Sequence, residues 1–138
     1  MESMHDLTEI ALVAAPPETV WKDWTDATRL AEWIWPPRFE TTAVVEPVQR
    51  GAWTVRSDVA EMAVLGEVLS AVPPGELRLA WRWQGEDHAT DVSVSFEPAA
   101  DDATRLTVHH AGFRTDEERD THIQGWTDCL DRLVDRYR

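Results

Sequence analysis

The stretch Thr104–Arg138, TRLTVHHAGFRTDEERDTHIQGWTDCLDRLVDRYR, decides the fold. Its first part alternates. Leu106, Val108 and His110 fall on one side, and Arg105, Thr107 and His109 on the other, which is the period of a strand. Its second part changes period. Ile123, Trp126, Leu130, Leu133, Val134 and Tyr137 recur at spacings of three and four, the stripe of an amphipathic helix. Thr115 and Glu118 between them form a capping-box pattern. A sheet with an apolar face and a long helix with an apolar stripe must cover each other. One residue sits badly in this scheme: Gly125, beside Trp126, costs the helix about 1 kcal/mol relative to alanine.

Reading upstream, the middle of the chain is β. Leu77, Leu79, Trp81 and Trp83 face one way and Arg78, Ala80 and Arg82 the other, and Thr90–Glu97 sets Val92, Val94 and Phe96 against Ser93, Ser95 and Glu97. Strands are also expected at Glu40–Val48, Gly51–Asp58 (Trp53 and Val55 on one side) and Met62–Val72, the last followed by the turn signal PPG. At the start, His5–Ala14 alternates loosely, with Leu7, Ile10, Leu12 and Ala14 apolar. Pro16 and Pro17 end it and open a helix with Val20, Trp21 and Trp24 on one face. Asp26 caps a second short helix carrying Leu30, Trp33 and Ile34, which Pro36 and Pro37 stop. The order is strand, two helices, six strands, long helix. This is an α+β arrangement with an antiparallel sheet that is wet on one side.

The 138 residues suit a single domain spanning 1–138. A chain of this length buries roughly two-thirds of its unfolded surface and needs neither disulfide nor structural metal. Cys129 is the sole cysteine and reads as packing. With no basic leader at the acidic N-terminus and no run near ~20 apolar residues, a soluble cytoplasmic protein without membrane insertion is expected. A net charge of −13 argues against nucleic acid and anionic lipid as partners. The unusual feature is eight tryptophans, which either fill a core or wall a cavity.

The segments APPETVWKDWTDATRLAEWIWPP, GEVLSAVPPGELRLAW and TRLTVHHAGF, with GW near the end, resemble the START-like (SRPBCC) superfamily. Within it the chain resembles the group of heat-shock-protein-90 ATPase activator homologues and polyketide cyclase-like proteins. Where that family often has a paired glycine at the third strand, Gly51–Ala52 stands here. The resemblance implies a helix-grip fold, in which a curved antiparallel sheet wraps a long C-terminal helix over a cavity. Gly125 then either lets the helix backbone approach its neighbours while Trp126 enters or seals the cavity, or relieves crowding around an ordinary core tryptophan.

The expected cavity wall draws on Trp33, Trp35, Phe39, Trp53, Met62, Trp81, Trp83, His110, Phe113, Ile123 and Trp126. His110 is the best catalytic candidate. It either orients a ligand or moves a proton, or is a histidine hydrogen-bonded within the core. His109 and His110 point to opposite faces, and His5, His88 and His122 lack ligand spacing, so no metal and no cofactor are expected. No nucleophile elbow or phosphate-binding loop occurs. The primary reading is a binder of a small apolar or aromatic molecule. A cyclase or aromatase-like enzyme in the same cavity, and a chaperone-regulating interaction module suggested by family analogy alone, are the alternatives. A homodimer is left open.

Overall fold

A computed structural model describes residues 5–138. Strand β1 (His5–Val13) leads into helices α1 (Pro17–Thr25) and α2 (Ala27–Trp33) and a short 3₁₀ turn (Pro37–Phe39). Six strands follow: β2 (Thr42–Val45), β3 (Ala52–Ser57), β4 (Met62–Val72), β5 (Glu76–Trp81), β6 (Thr90–Ala99) and β7 (Ala103–Phe113). Helix α3 (Asp116–Asp135) ends the chain. All seven strands pair antiparallel in the order β1-β7-β6-β5-β4-β3-β2, so chain start and chain end meet at one margin of the sheet.

The boundaries follow local chemistry. Pro17 occupies the first turn of α1, where its missing N–H costs nothing. The Asp26 carboxylate accepts the Arg29 N–H at 3.1 Å and starts α2. Thr115 Oγ1 accepts the Glu118 N–H at 3.0 Å, while Glu118 Oε1 accepts the N–H of Arg114 at 2.9 Å. The capping box thus forms with its carboxylate reaching one residue further back than the pattern prescribes. Strand β2 is shorter than expected. Glu40 closes the 3₁₀ turn in the left-handed region, and Glu46–Gly51 folds into a turn bonded to Ala52 and Val68. In β1 the inner positions are Leu7, Glu9, Ala11 and Val13, leaving Ile10 and Leu12 on the outer face, 57% and 64% exposed.

Strand β7 carries a bulge. Ala111 pairs with Asp6 and Phe113 with His5, so Gly112 is skipped, at φ +99°, a conformation glycine adopts without strain. The extra residue reverses the alternation. Phe113 therefore lands on the inner face beside His110, with ring centroids 4.4 Å apart.

Helix α3 does not lie across the whole sheet. It packs chiefly along β1, with fewer contacts to β7 and α2, while α1 lies over β6 and β7 and α2 over β2. Its end is fastened by a buried charge. Asp23 on α1, fully buried, takes the Tyr137 hydroxyl at 2.6 Å and ion-pairs with Arg29 at 2.9 Å and Arg136 at 3.4 Å. Burial pushes its carboxyl above the ordinary value, while the Tyr137 hydroxyl and the two guanidiniums pull it down.

Candidate ligand cavity

Between α3 and the β4–β5 side of the sheet lies a cavity of about 530 Å³. That is within the range of small-molecule sites. Its aromatic wall is Trp35, Phe39, Trp81, Trp83, Phe113 and Trp126, with Met62; Trp35 stacks on Trp83 at 6.3 Å and Trp126 lies 5.3 Å from Trp81. The α3 side is a polar stripe: Glu118, His122, Gly125, Cys129 and Arg132, one or two turns apart. Exposed Arg38, Glu86, Thr121 and Asp128 mark the way to solvent.

Seven of the expected wall residues surround this space: Trp35, Phe39, Met62, Trp81, Trp83, Phe113 and Trp126. Four do not. Trp33 is buried under α1, its indole N–H donating to the Asp23 carbonyl at 2.9 Å. Trp53 is buried against Trp24, donating to the Trp24 carbonyl at 3.0 Å. Ile123 lies on the side of α3 that packs against the core rather than on the cavity stripe. His110 sits behind the wall, shielded by Trp81, Phe113 and Trp126.

The bonds around His110 define its chemistry. An indole only donates, so the Trp126 N–H at 3.0 Å makes His110 Nδ1 an acceptor. Its Nε2–H then donates to Thr90 Oγ1 at 2.7 Å, and that hydroxyl donates to the Trp81 carbonyl at 3.3 Å. Both ring nitrogens are engaged. Burial, followed by the neighbouring imidazoles of His122 and His109, pushes its pKa down to about 2. A ring in that state neither takes nor gives a proton near neutrality. Of the two readings of His110, the bonds match the histidine held within the core; its place among the cavity-wall residues and as the catalytic candidate is corrected. His110 is a neutral core strut that orients Trp126.

Two histidines without ligand spacing in the sequence are instead on the wall. His122 accepts the Trp83 indole N–H on Nε2 at 2.9 Å and donates from Nδ1 to the Glu118 carbonyl at 2.7 Å. His88 donates from Nε2 to the Gly112 carbonyl at 2.7 Å, and its Nδ1 has no partner among the described residues. Cys129 gives its thiol hydrogen to the Ile34 carbonyl at 2.8 Å. Burial pushes its pKa up to about 12 against the Arg132 guanidinium, so no thiolate forms at neutral pH. Arg132 donates to the carbonyls of Trp33 and Ile34, both at 2.9 Å, tying α3 to the end of α2. Among the described residues no cluster of three metal-ligating side chains occurs, and no helix is long and apolar enough to cross a membrane.

Gly125 makes no close contact. A Cβ built there meets nothing within 4 Å. The backbone-approach and crowding explanations both fail; the missing side chain leaves the cavity mouth open. The helical spacing of Glu118, His122, Gly125, Cys129 and Arg132 was a readable signal, because glycine and cysteine interrupt an otherwise charged face.

The model of the Activator of Hsp90 ATPase homolog 1-like proteins matches residues 14–137. The chain belongs to this family. Solved structures of similar fold include protein CV1439 of Chromobacterium violaceum, at 20% identity and TM-score 0.83, with 96% of each chain covered. The AHSA1 protein of Silicibacter pomeroyi is 24% identical, TM-score 0.77, over 95% of this chain and 96% of that one. An HSP90 activator from Plasmodium falciparum is 18% identical, TM-score 0.74, over 95% and 94%. No curated protein matches in sequence. The helix-grip architecture expected from the sequence is the one these solved structures and this chain share, and identities this low carry the fold alone.

Proposed function

We propose that this family member binds a small apolar or aromatic molecule in the cavity between α3 and the β4–β5 side of the sheet. The observation that supports it is open volume where a helix and a sheet otherwise pack shut: about 530 Å³, walled by four tryptophans, two phenylalanines and Met62. Indole and phenyl faces suit a flat or apolar guest, and Gly125 leaves its entrance clear.

Intrinsic tryptophan emission and thermal melting, read across a panel of apolar and aromatic metabolites, test this directly. Binding raises the melting temperature in proportion to ligand concentration over Kd. A Gly125→Trp variant, which fills the mouth, is expected to fold and to lose the response. A panel that moves neither signal in the parent chain, or moves both equally in the filled variant, overturns the proposal.

A catalytic role has one observation in its favour: the unpartnered Nδ1 of His88, held by the Gly112 carbonyl bond on the cavity wall. If the cavity is catalytic, His88→Gln abolishes turnover while ligand binding persists. The chaperone-regulating reading finds less support, since the outer face of the central strands presents Arg78, Ser93, Ser95, Glu97, Arg105 and Thr107 rather than an apolar patch.

A further inference from the structure

We infer that the guest is a cation: a protonated amine or quaternary ammonium carried on an aromatic or compact apolar body. This deepens the binding reading above and rests on it. The argument comes from which wall groups remain free. Trp83 and Trp126 give their N–H groups to His122 and His110. The Thr90 hydroxyl and Cys129 thiol are engaged by backbone carbonyls, as are Nε and Nη2 of Arg132. The Trp81 N–H is buried without a partner, closed in by the rings of Trp53, Trp83, His110 and Trp126.

Two donors also stay open, the Trp35 indole N–H and the exposed Arg38 guanidinium, but the other open groups are accepting or electron-rich. His88 Nδ1 is free, the Glu86 carboxylate has no partner among the described residues, and Glu118 and Asp128 each have only one carboxylate oxygen bonded. The aromatic faces add negative quadrupoles that attract a cation within about 6 Å of a ring centroid. The wall already shows this contact on a small scale: the Arg38 guanidinium stands 5.3 Å over the Phe39 ring. Of the two arginines at the cavity, Arg132 is held by carbonyls and Arg38 is exposed, and three carboxylates outnumber them. The net charge of −13 works in the same direction at longer range, against an anionic guest.

Calorimetric titration of the full chain with three probes of one shape separates the possibilities: naphthylmethylamine, naphthylmethanol and naphthylacetate. The amine is expected to bind about tenfold more tightly than the alcohol, with the carboxylate weakest. The combined variant Glu86→Gln, Glu118→Gln, Asp128→Asn should remove most of the amine's advantage over the alcohol; glutamine at 118 still completes the capping box. Equal binding of amine and alcohol, or an amine advantage untouched in the triple variant, overturns the cation assignment and leaves the cavity reading standing. Failure of all three probes to bind overturns both.

Discussion

The interior has two halves built from the same unusual residue. In one, beneath α1 and α2, Trp24, Trp33 and Trp53 pack against each other and Phe96 with centroids 5.0 to 6.4 Å apart, and the N–H groups of Trp33 and Trp53 donate to backbone carbonyls. In the other, beside α3, Trp83 and Trp126 donate to histidine side chains, and space remains in front of them. A carbonyl bond fixes an indole to the fold itself. A bond to an imidazole fixes it to another side chain, which leaves the ring standing at a wall. Tryptophan content therefore says little about a cavity; where an indole finds an acceptor it is a carbonyl for Trp33 and Trp53 in the core and an imidazole for Trp83 and Trp126 at the wall, while the N–H groups of Trp24 and Trp81 are buried without one.

That contrast breaks if the two halves respond alike to truncation. Trp53→Ala is expected to cost about 3–5 kcal/mol, the usual price of emptying an aromatic core site, whereas Trp83→Ala, partly buried at the cavity, costs about 1–2 kcal/mol. Denaturant midpoints measure both, and similar losses would remove the distinction. The histidine side sharpens by pH. His110 binds its proton far more weakly folded than unfolded, so between pH 6.5 and about 2 the unfolded state holds more protons. Stability from this group is complete above pH 6.5 and falls as pH drops, by about 1.4 kcal/mol per pH unit. His110→Gln should flatten that slope in urea titrations between pH 7 and 5; an unchanged slope would mean the imidazole is not held neutral. The smallest effect is a gain. Gly125→Ala should stabilise the chain by about 0.5–1 kcal/mol, because the added methyl meets nothing and helix propensity improves. A loss in thermal melting would instead mean that α3 sits closer to its neighbours at this point.

The elements were legible where periodicity is strict. The inward sets of β5 to β7, the α3 stripe and the Thr115 cap follow from alternation and spacing alone. Membership of the cavity wall was not, because spacing gives a helix its face but not its sideways position on the sheet. Trp33 and Trp53 have the same local signature as Trp35 and Trp83, and it is the packing of α1 and α2 over the first pair, with α3 set aside along β1, that leaves the second pair uncovered. His110 was legible as inward-facing. That both its nitrogens are engaged depends on Thr90 and Trp126, brought in by a neighbouring strand and a distant helix. Phe113 falls outside strict alternation, and the Gly112 bulge is what turns it inward.

The fastening at Asp23 has a consequence beyond α1. Tyr137 and Arg136 lie just past α3, yet they supply two of the three side chains that hold the buried Asp23 carboxylate of α1, a hydrogen bond and an ion pair. Loss of these two side chains would leave the Asp23 carboxylate inside the protein with Arg29 as its one counter-charge among the described residues, so the turn after α3 belongs to the electrostatics of the interior.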